Sequence, residues 1–299
     1  MEESMTQRGW LITHKNCLDG ATAAIVGEQC GLTPIFIEPD RVLDGFALIT
    51  HDAPIYLADV SLKPEHYQGV SSRIAKLLDH HQSALPLSRY PNVLIDLSKS
   101  GSHLFYAFAV DQGWLKPTPE WERLVYAVER YDLWKPAHEP GQNLNRLFHT
   151  LGYDWYRERF AVGWNPYQSH EQALLADLIF REKQYMREQL KRSVKVWSPL
   201  PMIAIALSEE GATNELAHQL LGQGAALVVF IKPDGRLSAR SDVRIDAAKL
   251  MEDVFSGGGH ARAAGGRLDL PGPYDQETAR AVLERIANYL RLKSRTLSK

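Results

Sequence analysis

The chain has 299 residues, 44% of them hydrophobic and 23% charged, with a formal net charge of -2 at pH 7. That length favours two domains, and the composition is that of an ordinary soluble globular protein. Near-neutrality excludes a long electrostatic track for duplex nucleic acid, yet leaves room for a small anionic substrate met by bound cations.

No run approaches the roughly 18 apolar residues of a membrane span, and the opening MEESMTQRGW is polar and acidic. No membrane partner and a cytoplasmic location are therefore expected. The two cysteines, Cys17 and Cys30, are too few for a disulfide framework. Short apolar runs at 10–13, 34–37, 55–58, 74–78 and 93–97 alternate with helical patterns at 20–29, 101–112 and 119–130, the last after a Thr118 cap. The fold class expected is α/β: an N-terminal, mostly parallel sheet flanked by helices, then a helical connector, then a smaller C-terminal α/β domain. From 142 to 192 the pattern is helical and rich in long charged side chains, with one long helix over 170–191. A second alternating unit then follows, with strands at 202–207, 225–231 and 236–240 and helices at 214–221, 246–255 and 276–292. The expected division is 1–185 for a metal-binding domain, 186–200 for a helical linker and 201–299 for a substrate-binding domain.

Three of the predicted strands end in ligand-type residues. His14, Cys17 and Asp19 follow the first, Asp59 the third, and Asp79, His80 and His81 the fourth. Ligands of open α/β sheets bind beyond the carboxyl ends of the strands, so three strands deliver polar groups to one edge. Carboxylates about 4 Å apart repel by on the order of 4 kcal/mol at an effective dielectric of 20, so such a cluster calls for cations. Mixed imidazole and carboxylate donors suit manganese, iron, zinc or cobalt better than calcium or magnesium. The plainer alternatives are helix caps for Asp19 and Asp59 and a surface pair for His80 and His81.

The segment LLDHH at 77–81, with LADVS at 57–61 and THKNCLDG at 13–20, resembles the DHH phosphoesterase superfamily. SARS at 238–241 and GGGHARAAGG at 257–266 resemble its DHH-associated domain, and the likeness is greatest to the oligoribonuclease and nucleotide phosphodiesterase members. The resemblance implies a two-metal site, with Asp59 bridging, Asp19, His80 and Asp132 on one ion, and His14 on the other. Catalytic roles are implied for His81, facing the substrate phosphate, and for Asp79, orienting the histidines. Cys17 departs from the pattern by standing where a first aspartate is common, one position off the usual spacing from His14. Either its thiolate ligates a softer ion such as iron or zinc, or the ion held by Asp19, Asp59, His80 and Asp132 acts alone. The expected cofactor is a divalent transition metal, Mn2+ or Fe2+, with one or two ions per chain.

The implied function is hydrolysis of short oligonucleotides, dinucleotides or related nucleotide phosphates by attack of metal-bound hydroxide. The alternatives are a 3'-phosphoadenosine 5'-phosphate phosphatase and a non-catalytic nucleotide-binding sensor. Arg240, Gly257, Gly258, Gly259 and His260 are expected to meet the nucleotide, and Ser100 and Gly101 to form a phosphate-facing turn unless they are a plain helix cap. The partner expected is thus a small nucleotide or short oligonucleotide, and a homodimer is compatible with the sequence.

Overall fold

The computed structural model describes residues 8–133 and 139–297, apart from the side chains of residues 260 and 295–297. The chain divides into two compact units, Met1–Leu175 and Ala176–Lys299.

In the first unit the elements run β1 (Gly9–His14), α1 (Leu18–Gln29), β2 (Leu32–Ile37), α2 (Val42–Ala47), β3 (Ile55–Ala58), α3 (Pro64–Val70), β4 (Ile74–Asp79) and β5 (Val93–Ile95). Four helices follow: α4 (Gly101–Asp111), α5 (Pro119–Asp132), α6 (Glu139–Phe160) and α7 (Ser169–Lys191), the last crossing into the second unit. The five-stranded sheet is parallel throughout, in the order β2-β1-β3-β4-β5. Strand order therefore reverses between β1 and β3, and at such a switch point the connecting chains diverge and leave a crevice. Residues of β1 alternate between two cores: Leu11 packs with α1, α4, α5 and α6, while Trp10 and Ile12 pack on the opposite face.

Alanines, small residues and β-branched residues let α1 sink almost wholly into the first of these cores. The Thr22 hydroxyl donates to the Leu18 carbonyl and also pairs at 2.7 Å with the hydroxyl of the fully buried Tyr156 on α6. These bonds fix the axial position of α1, and with it the turn that precedes it. Helix α6 is broken at Gly152, where φ is 84° and ψ 179°.

The second unit comprises β6 (Ser193–Val196), β7 (Met202–Ala206), α8 (Thr213–Gly222), β8 (Leu227–Ile231), β9 (Arg236–Ser241), α9 (Ala247–Phe255), β10 (Gly258–His260), β11 (Ala263–Arg267) and α10 (Gln276–Leu297). Its six strands are ordered β10-β11-β9-β8-β7-β6, with only β7 and β8 parallel. The stretch 186–200 is not the helical linker expected: α7 stops at Lys191 and β6 joins the sheet edge beside β7. Val194 alternates inward there with exposed Lys195, a two-residue period too short to outweigh the helical pattern before it. Among the described residues no helix is long and apolar enough to cross a membrane.

Candidate metal centre

Thr13 pairs with Ala58 and Ala58 with Leu78, so the residues that follow, His14 and Asp79 at the ends of their strands and Asp59 just past β3, lie at one level of the sheet. Cys17 is the N-cap residue of α1 but makes no capping bond with its side chain, and Asp19 lies in the first helical turn. Asp59 adopts φ 60°, a left-handed conformation uncommon for a residue bearing a side chain. Its amide donates to the Leu78 carbonyl, which pins this backbone to β4.

Two glycines make the close approach possible. A Cβ on Gly101, at the start of α4, would lie 2.6 Å from both Cα and Cβ of Asp59. One on Gly20 would collide with the carbonyl oxygen of His14. Ser100 caps α4 by accepting from the His103 amide, and Ser102 donates from both its amide and its hydroxyl to Asp19. Ser100 and Gly101 are buried, Ser100 as the cap of α4 and Gly101 against Asp59. Sequence reasoning missed Ser102; its signal was a second hydroxyl two residues past the cap, at a helix N-terminus suited to hold a carboxylate.

The donor atoms fall into groups whose members lie within 4.8 Å of one another: His14, Cys17 and Asp59 in one, Asp19, His80 and Asp132 in another, and Asp59, Asp79, His80 and His81 in a third that shares a residue with each. Asp59 stands between the first two, its Oδ1 3.2 Å from His80 Nε2 and its Oδ2 3.5 Å from His14 Nδ1. His80 Nε2 is also 3.5 Å from Asp132 Oδ2. Asp79 is fully buried; its Oδ1 accepts from the His80 amide at 2.8 Å and lies 2.7 Å from His81 Nδ1.

The electrostatics are those of acids forced together. Burial and then the charge of Asp59 push the Asp19 carboxyl up to about 6, against the bonds from Ser102. Asp132 is driven well above the carboxylate range by burial and by Asp19. Burial alone would raise Asp59 too, but the adjoining imidazoles of His14 and His80 hold it well below the usual range. Burial would lower His80, yet Asp59, Asp132 and Asp19 together raise it to about 10. His81 is raised as well, its partner Asp79 outweighing burial. The Cys17 thiol is pushed up by burial and by Asp59, Asp132 and Asp19.

These residues fit a bound cation. Among the described residues, Oδ2 of Asp59 and Oδ2 of Asp132 are buried without a hydrogen-bond partner, which leaves acceptor capacity aimed inward. Oxygen, imidazole and thiol donors together match a transition metal.

In the second unit Arg240 on β9 donates to Asn214 Oδ1 at 2.8 Å and Ser238 Oγ at 3.1 Å. Arg240, Ser238 and Gly259 line a cavity of about 370 Å³ together with Gly265 and Gly266. Gly257 is needed where β10 passes the Gly265 carbonyl, and Gly259 has φ 140°, whereas Gly258 faces open space. The His260 side chain lies outside the described residues; its backbone pairs with Ala263.

A parallel α/β unit with an acid and imidazole cluster at its switch point, followed by a mixed-sheet unit with a glycine hairpin, defines the class of protein. The DHHA1 domain family matches residues 203–291. Oligoribonuclease NrnB of Bacillus subtilis (strain 168) is 22% identical over 240 residues, 71% of this chain and 58% of that protein. The chain thus spans little more than half the length of this curated relative. Among solved structures, the pGpG-specific phosphodiesterase PggH of Vibrio cholerae is similar with a TM-score of 0.55 at 16% identity, covering 95% of this chain and 99% of the other. RecJ of Thermus thermophilus in complex with Mn2+ also gives 0.55, at 18% identity, covering 95% and 52%. Residues 203–291 thus carry a DHHA1 domain, and the chain shares its fold with these solved structures.

Two outcomes follow from this geometry. Gly101→Ala, by displacing Asp59, is expected to lower metal occupancy at least tenfold with little change in secondary structure, checked by elemental analysis and circular dichroism; full occupancy would show that the contact does not position Asp59. Metal uptake must displace the proton that His80 carries below about pH 10, and below about pH 6 also that of Asp19. Apparent affinity for Mn2+ therefore rises with pH, by roughly tenfold per unit between pH 6 and 8 for each proton released, measured by titration calorimetry.

Proposed function

We propose that this protein is a metal-dependent phosphodiesterase that hydrolyses short oligonucleotides or linear dinucleotides. The observation that carries the reading is the two-sided placement of Asp59, one oxygen toward His80 and the other toward His14, where the two donor triads meet. Asp19, His80 and Asp132 would hold one divalent ion, His14 and Cys17 a second, with Asp59 shared. Manganese or iron suits this donor set, and the thiol of Cys17 favours iron or zinc at the second position. Such ions lower the pKa of coordinated water toward 7 and neutralise charge on phosphoryl oxygens.

The protein's own groups do the rest. Asp79 holds Nδ1 of His81, which makes Nε2 the working nitrogen of that ring. Because Asp79 keeps His81 cationic to higher pH, Nε2–H donates to a phosphoryl oxygen as charge develops or protonates the departing ester oxygen. Arg240 and the glycine hairpin around Gly259 supply a cationic, side-chain-free surface on which a terminal phosphate or nucleotide fits. Gly257, Gly258 and His260 are proposed to meet the same nucleotide. The relatives support this substrate class: NrnB by its name acts on oligoribonucleotides and PggH on pGpG.

A chromatographic panel tests the reading: linear dinucleotides, cyclic dinucleotides, RNA of a few residues and 3'-phosphoadenosine 5'-phosphate, each with protein loaded with Mn2+ or Fe2+. Linear dinucleotides and short RNA are expected to yield mononucleotides fastest. Binding without product from any of them would make the protein a nucleotide sensor. His81→Ala should keep its metal and lose roughly a hundredfold or more in kcat; retained turnover would remove His81 from the chemistry. Cys17→Ala, purified without oxygen, should lose one ion or change its identity. Unchanged metal content would strike Cys17 from the ligand set.

A further inference from the structure

A cavity of about 290 Å³ opens beside the donor cluster in the first unit. It is lined by Lys15, Asn16 and Cys17 of the β1–α1 turn, by Phe36 of β2, and by His149 and Tyr153 of α6. Cys17 belongs both to this lining and to the triad with His14 and Asp59, so the cavity borders the donor cluster at that residue. Resting on the activity proposed above, we propose that this cavity is a base subsite, holding one nucleobase of the substrate next to the phosphate that is cleaved.

Size, shape and chemistry agree. The volume lies at the lower end of small-ligand pockets, suiting one base or nucleoside and not a whole dinucleotide. The walls are aromatic: Phe36 and Tyr153 meet edge to face with ring centroids 4.7 Å apart, and His149 packs against Phe148 at 5.2 Å. Base stacking needs such flat apolar faces, whereas a second phosphate would need a cluster of guanidinium groups. The polar groups are few. Asn16 offers an amide with both donors and an acceptor, the combination that meets a base edge, and the exposed Lys15 offers a cation on the same turn for the adjoining phosphate.

The backbone is also shaped at this cavity. Gly152, between His149 and Tyr153, has φ 84° and ψ 179°, a region essentially closed to residues with side chains. The break makes the wall from two helical segments in place of one. Across the cavity Asn16 stands at φ 54°. A Cβ on Gly152 would meet nothing within 4 Å, so crowding does not explain the glycine; the conformation does.

The test compares dinucleotides with both bases against the same compounds with either base removed, in metal-loaded wild type, Tyr153→Leu and His149→Ala. Leucine keeps apolar bulk but removes the aromatic face, and His149 is exposed enough to be changed without risk to folding. The ratio of kcat/KM for intact over abasic substrate is expected to fall roughly ten- to hundredfold in Tyr153→Leu and severalfold in His149→Ala, with metal content unchanged. An unchanged ratio in both variants, while wild type still cleaves the dinucleotide, overturns the subsite and leaves the phosphodiesterase reading intact. A non-hydrolysable dinucleotide carrying 2-aminopurine reads stacking without turnover. Fluorescence quenched by wild type and restored in Tyr153→Leu supports the subsite even if no substrate is cleaved, and unquenched fluorescence with wild type overturns it.

Discussion

The first unit is organised around the burial of three carboxyl groups in one place. Asp19 and Asp59 are each 1% exposed, and the donor oxygens of Asp19 and Asp132 lie within 4.8 Å. At that separation two negative charges repel by on the order of 3–4 kcal/mol at an effective dielectric of 20, a large share of the roughly 5–15 kcal/mol that keeps a domain folded. Local devices offset part of this: Asp19 sits on the N-terminus of α4 and takes bonds from Ser102, and His80 carries a proton between Asp59 and Asp132. The remainder is a demand for positive charge, met by protons when no metal is bound. Stability and metal affinity are therefore opposed here, since every proton that relaxes the cluster must leave before an ion can bind.

Such a cluster persists only if the backbone cannot relax away from it. The parallel sheet supplies three strand ends at one level, and the reversal of strand order between β1 and β3 leaves the crevice into which they point. Contacts that tolerate no extra atom then lock the turns: Gly20 against His14, Gly101 against Asp59, and the left-handed Asp59 tied to β4 through its amide. Strain of this sort costs on the order of 1–3 kcal/mol and is held in place by its surroundings. The two large cores on either face of the sheet are what resist it.

The sequence made the strand ends legible because their evidence is local: an apolar run of four to six residues followed at once by Asp or His. The resulting expectation that His14, Cys17, Asp19, Asp59 and His80 gather is matched by their positions, and Asp79 does face His81. Asp132 was found only through the family motif, because a helix-terminal carboxylate carries no mark of the strand it will meet more than fifty residues upstream. Ser100 and Gly101 left a phosphate-facing turn and a plain helix cap equally open, because a Ser-Gly helix start looks the same whether solvent or Asp59 lies opposite. The break in α6 was invisible for a similar reason: His149 to Tyr153 has helical spacing, and only the φ of Gly152 shows that the two sides do not share an axis. Edge strand β6 was missed because four residues after a long helix offer too short a period to read.

The turn from Lys15 to Cys17 joins these threads. It is three residues long, its first amide donates to the Ile37 carbonyl of β2, and its middle residue is left-handed. Cys17 is grouped with His14 and Asp59 and is also part of the lining of the aromatic cavity. A thiol's sulfur is larger and softer than a carboxylate oxygen, and the group, unlike a carboxylate, is neutral at physiological pH unless a cation draws off its proton; here burial and three neighbouring acids raise that threshold further. Replacing a carboxylate by Cys17 thus removes one like charge from an overcrowded cluster and presents an apolar surface to the cavity at the same time. On the reading proposed above, Cys17 lies where metal preference and substrate fit would meet, so a change there would alter both through a single side chain.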